Sequence, residues 1–91
     1  MSPNILGDIS LDPAFVFGQI LRRLRKEANL TQESLALKAG VERNFVSLIE
    51  RGINQPTIRI MFKLAHALNT TPSKMLVLVE KTLQSKSRPT K

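Results

Sequence analysis

The stretch Thr31–Gly52, TQESLALKAGVERNFVSLIERG, contains two short apolar-faced segments broken by a glycine. Thr31 is a helix N-cap, and Glu33 places a carboxylate in the first turn, where the helix dipole favours it. Leu35, Ala36 and Ala39 then give the helix Gln32–Ala39 a buried side. Gly40 follows, the residue best able to take positive φ after a helix. Val41 starts the turn into a second helix, roughly Arg43–Arg51, with Phe45, Val46 and Ile49 expected inward and Gly52 closing it. Two short helices joined by a glycine-containing turn form a helix-turn-helix. Ala36 must be small because the helices cross there. With Val46 and Ile49 held inside, Arg43, Asn44, Ser47, Leu48 and Arg51 are driven to the opposite face. Arg43, Ser47 and Arg51, four residues apart, stack on one side. Major-groove reading needs such a face, because Arg pairs with guanine O6/N7 and Asn with adenine N6/N7.

On the N-terminal side, Asp12 caps a helix with Pro13 at its first position, where a missing N–H costs nothing. Phe17, Ile20, Leu21, Leu24 and Ala28 recur along it at helical spacing, to an end near Asn29. Residues 1–12 read as an arm. On the C-terminal side, GINQPT is a loop, and Thr57 caps a fourth helix with Met61, Leu64, Ala65 and Leu68 inward. Phe45 and Phe62 are expected in the core. Thr71-Pro72 repeats the cap-plus-proline signal for a fifth helix, from Pro72 to about Leu83. The tail 84–91, QSKSRPTK, has no apolar residue and is expected to be disordered. Strand patterns are missing. The expectation is an all-α, five-helix domain over residues 13–83, with the helix-turn-helix at helices 2 and 3.

Ninety-one residues suffice for one core and leave no room for a separate effector-binding domain, so no small-molecule effector is expected. No apolar run approaches the roughly 18–20 residues that span a bilayer. The first residues lack a basic start followed by an apolar block, so they do not read as a secretory signal. A cytoplasmic protein is expected. Without cysteine there is no disulfide, thiolate metal site or cysteine nucleophile. His66 stands alone, with no second metal ligand, nucleophile–base set or glycine-rich phosphate loop around it, so neither enzyme nor cofactor is expected.

Fourteen Lys/Arg against seven Asp/Glu leave a charge of +7, which favours a polyanionic partner. Lys81, Lys86, Arg88 and Lys91 lie in a stretch without acids; removing them leaves ten cations against seven acids, or +3. The remaining excess is local: Arg22, Arg23, Arg25 and Lys26 fall within five residues, and Arg22, Arg23 and Lys26 read as a solvated face rather than a phosphate clamp.

Thr31-Gln32, Leu35-Ala36, Gly40, Ile49-Glu50-Arg51-Gly52, Pro56, Leu64-Ala65 and Ala67-Leu68 together resemble the phage-repressor/Cro family, also called XRE-like helix-turn-helix domains. The resemblance runs from about Phe17 to Leu76. Within it, the order Glu42-Arg43-Asn44-Phe45-Val46-Ser47 is similar to that of compact controller proteins of restriction–modification systems; small phage repressors and antitoxin-type regulators share the frame. The resemblance implies that Gln32 holds a phosphate beside the free N–H groups of its helix, fixing register without reading sequence. It implies that Arg43, Asn44 and Ser47 read bases, that Arg51 and Asn54 grip the backbone, and that Arg25 and Glu50 form a structural ion pair. Two positions depart from the family. Glu42 stands where Ser, Thr or Asp is usual as the cap; its carboxylate either accepts from a cytosine N4 or repels a phosphate. Leu48 is apolar on an outward turn, and either touches a thymine methyl or packs on Leu37.

In the fifth helix, Met75 to Val79 run without a polar break. Met75, Leu76, Val79 and Leu83 share one side, and Val77 and Leu78 point away from its middle. Apolar surface is therefore left over, and such patches mark interfaces. A twofold homodimer on double-stranded DNA is expected, with Met75, Val77 and Leu78 as interface residues. The competing expectation is an antitoxin-type protein-interaction module on the same fold.

Overall fold

A computed structural model describes residues 11–87. Its five helices are α1 (Pro13–Glu27), α2 (Gln32–Ala39), α3 (Arg43–Glu50), α4 (Ile58–Ala67) and α5 (Pro72–Ser87), and no strand occurs among the described residues. Local chemistry sets the helix starts. Asp12 Oδ1 accepts from Ala14 N at 2.9 Å, and Pro13 follows it. Thr31 and Ser34 form a reciprocal cap: Thr31 Oγ1 accepts from Ser34 N at 3.0 Å, and Ser34 Oγ accepts from Thr31 N at 2.8 Å. Thr57 Oγ1 and Thr71 Oγ1 accept from Ile60 N and Lys74 N, a one-way cap in each case. α1 and α4 are each followed by an asparagine in the left-handed region, Asn29 (φ 60°) and Asn69 (φ 57°), so each chain reversal is complete two residues before the next threonine cap.

The core joins Val16, Phe17, Ile20 and Leu21 of α1, Leu35 and Ala36 of α2, Val46 and Ile49 of α3, Leu64, Ala65 and Ala67 of α4, and Met75 and Val79 of α5. α1 packs against both α3 and α5, whereas α2 packs against α3 and α4. α1 meets α3 through Gly18: a Cβ there would be driven into the Ile49 carbonyl oxygen and would lie 2.9 Å from that of Glu50. Backbone lies on backbone at this crossing.

Five expectations need correction. Phe45 and Phe62 are outside the core, 43% and 59% exposed. Met75 is fully buried, so it fills the chain's own core and is removed from any surface a second copy could touch. On α5, Met75 and Val79 fix the inward line, and Leu78, Thr82 and Leu83 flank it half-buried. Leu76 lies about 100° round the helix from Met75 and is exposed beside Val77, whereas Leu78, expected to point away, packs half-buried against the chain's own core. Finally, α5 runs on through Gln84–Ser87, which the sequence assigned to the tail. Gln and Lys are good helix formers, Lys86 suits the negative end of the dipole, and no proline or glycine intervenes before Pro89. The expected arm lies outside the described residues except for Leu11 and Asp12, as does 88–91 of the tail.

Candidate nucleic-acid interface

Leu35 and Ala36 seat α2, and Val46 and Ile49 seat α3. Between them Gly40 adopts φ 71°, and Val41 N donates to Ala36 O at 3.0 Å to close the turn. With the two helices so fixed, Glu42, Arg43, Asn44 and Arg51 are exposed, and Ser47 and Leu48 are half-buried among them. Arg51 folds back along the helix, its Nε 3.4 Å from Ser47 O. Glu42 caps α3 by backbone conformation alone, since its side chain makes no cap hydrogen bond. Leu37 is 80% exposed, so Leu48 does not cover it. The N–H groups of Ile53 and Asn54 both donate to Leu48 O, at 3.0 and 3.3 Å. These two bonds hold the backbone of exposed Asn54 at the C-terminal end of α3.

Arg43 and Gln32 share one open cleft with Arg25, Lys26, Asn29, Leu30, Thr31 and Glu33. The cleft lies where the start of α3 meets the start of α2. Beneath it, Arg25 Nε donates to Glu50 Oε2 at 2.6 Å and Nη2 to Glu50 Oε1 at 3.0 Å, both groups buried. The hydrogen bond to Glu50 holds the Arg25 guanidinium above its usual range, against the lowering effect of burial. Arg25 Nη1 also donates to Leu30 O at 2.9 Å, tying down the turn between α1 and α2. Removing one partner of such a pair costs about 3–5 kcal/mol, because the other charge stays buried.

The structure adds a contact the sequence did not indicate. Gln32 Nε2 donates to Glu50 Oε1 at 3.0 Å, so the side chain expected at the phosphate is anchored to the end of α3. The only signal in the sequence was that Glu50 has more acceptor capacity than one arginine fills. Elsewhere, Arg23 pairs with Glu27 at 3.7 Å on the solvated face of α1. Phe45 lines a small pocket with Ile49, Asn54, Pro56 and Ile60 on the flank of α3. His66 is exposed, and no group of three His, Cys, Asp or Glu among the described residues could hold a metal ion. No helix among the described residues is long and apolar enough to cross a membrane.

Known proteins place this geometry. The helix-turn-helix family HTH_3 matches residues 21–75. The uncharacterized HTH-type transcriptional regulator y4dJ of Sinorhizobium fredii is 31% identical over 72 residues, covering 79% of this chain and 94% of that protein. Control protein C.BamHI of Bacillus amyloliquefaciens is 34% identical over 62 residues, 67% of this chain and 76% of that protein. The crystal structure of the restriction-modification controller protein C.AhdI from Aeromonas hydrophila is similar, with TM-score 0.66 at 39% identity, over 68% of this chain and 94% of that one. The resemblance carried by Thr31-Gln32, Gly40 and Ile49–Gly52 is thus matched by whole-domain similarity, and the chain belongs to the HTH_3 helix-turn-helix family of DNA-binding transcription regulators, a non-enzymatic family.

Proposed function

We propose that the protein is a homodimeric regulator that reads a pseudo-palindromic operator with α3 in the major groove. One observation carries this reading: Arg43 and Asn44 stand exposed at the start of α3, while Val46 and Ile49 further along it are buried. Arg43, Asn44 and Ser47 contact base edges, with Glu42 and Leu48 at the margin of the same surface. Gln32, Arg51 and Asn54 hold phosphates on either side, and they set register while the bases set specificity. Two copies present their recognition helices about 34 Å apart, one DNA turn, on one face of the duplex. The apolar side chains available for pairing are Val77, exposed Leu76 beside it and half-buried Leu78 on α5, with exposed Ile58 and Phe62 on α4, the helix that packs against α5.

Random-oligonucleotide selection with the purified protein tests the reading by yielding a motif, its symmetry and its half-site spacing. On the selected site, Arg43→Ala is expected to lose about 1–3 kcal/mol of discrimination at one base pair in each half-site. Gln32→Ala is expected to weaken selected and random DNA alike and to flatten the salt dependence. Equal losses on both DNAs for Arg43→Ala would remove the base-reading role, and selection of no motif would remove the operator.

A further inference from the structure

Glu50 holds more partners than an ion pair requires. Its side chain is 1% exposed, and Arg25 meets both of its oxygens. The third donor is Gln32 Nε2, at the first residue of α2. Because a carboxylate only accepts, this bond fixes which end of the Gln32 amide points inward: the nitrogen. One N–H of that nitrogen is engaged by Glu50, and the other diverges from it. A phosphate oxygen is also acceptor-only, so that second N–H is the group of Gln32 that suits it. A freely rotating amide would as often offer its oxygen, which a phosphate repels.

A buried carboxylate beneath a phosphate contact would ordinarily oppose it. Here Arg25 sits on the same carboxylate in a two-point pairing, so the assembly under Gln32 is neutral. The same guanidinium reaches Leu30 O, in the turn that delivers Gln32. The pair therefore fixes both the backbone entering α2 and the orientation of its first side chain.

We propose that Glu50 is a positioning residue for DNA binding: its hydrogen bond to Gln32 keeps one amide N–H turned toward the phosphate, while Arg25 cancels the charge that would repel it. This rests on the phosphate role of Gln32 put forward above. The test is a charge-neutral replacement of the pair, Arg25→Met together with Glu50→Leu, made in the wild-type and in the Gln32→Ala backgrounds. Apolar replacement of a whole buried ion pair is often tolerated, unlike removal of one partner. Affinity for a random-sequence duplex is read on each folded variant. The expected result is a loss of about fivefold to tenfold with Gln32 present, the worth of about one hydrogen bond, and no loss in the Gln32→Ala background. The same loss in both backgrounds, or none in either, overturns the proposal. A Gln32→Ala protein that binds as tightly as wild type is a separate failure: it removes the phosphate role itself and the proposal with it. If the paired replacement does not fold, the wild-type protein decides by NMR of the Gln32 side-chain amide during titration with a short duplex. One Nε2 proton should stay fixed while the other shifts. Averaging of the two protons in the free protein, or movement of both together, overturns the positioning role.

Discussion

Gly18 shows how much of the placement of α3 is set by one missing side chain. It lies in the middle of α1, where glycine costs helix stability of roughly 0.5–1 kcal/mol relative to alanine. Yet the Ile49 and Glu50 carbonyls occupy the space an alanine Cβ would need. Both obstacles are backbone at the end of α3, so no rotamer change can relieve them. Gly18→Ala is expected to destabilise the fold by about 3 kcal/mol, the upper end of ordinary overpacking, as measured by urea unfolding. A stabilised variant would mean that α1 and α3 separate without cost. Nothing in the sequence distinguishes Gly18 from a tolerated helix glycine, because the residues that crowd it lie some thirty positions further on.

At the scale of elements, the starts and ends of helices were legible because they depend on neighbours in the chain. Asp12-Pro13, Thr31, Thr57 and Thr71-Pro72 each cap where their side chains suggest, and Gly40 turns where left-handed backbone is needed. Helix faces were less legible. Counting only apolar residues, the inward arc of α3 includes Phe45, Val46 and Ile49. In the fold the arc is Val46, Ile49 and Glu50, and admitting the buried carboxylate rotates the helix until Phe45 reaches its edge. Leu76 was misplaced for a similar reason: in an unbroken run from Met75 to Val79, hydropathy cannot say which residue faces in. The exposed side of α3 was nonetheless recoverable, since Val46 and Ile49 are inward both by hydropathy and in the fold.

The weak start of α3 is also an element-scale matter. Glu42 has the backbone conformation of a cap but makes no side-chain bond to the helix. Glu42→Asp keeps the charge and shortens the chain by one methylene, bringing the carboxylate into capping range. It is expected to add about 1 kcal/mol, or a rise in Tm of about 4–8 °C for a domain of this size, by thermal denaturation. No change would mean that α3 begins well without a side-chain cap.

For the whole molecule, surface left uncovered matters more than what is buried. Ile53, Ile58, Phe62, Leu76 and Val77 are all large, apolar and exposed, an arrangement that a small domain sustains more easily when a second copy shields part of it. Val77 is 45% exposed and outside the core, so Val77→Asp should leave folding intact. Sedimentation equilibrium is expected to find a dimer for the parent and a monomer for the variant. A variant that stays dimeric would move the interface away from α5, toward the exposed residues of α4.

α1 touches both α3, the helix proposed to face DNA, and α5, the helix proposed for pairing, and its contact with α3 has no side chain between the two backbones. Such a joint transmits displacement and has little give. If two copies meet through α5, the angle between their reading heads is inherited from that rigid path. The protein then behaves as a fixed-gauge caliper: an operator with an extra base pair between its halves must twist to fit, and the DNA bears the distortion.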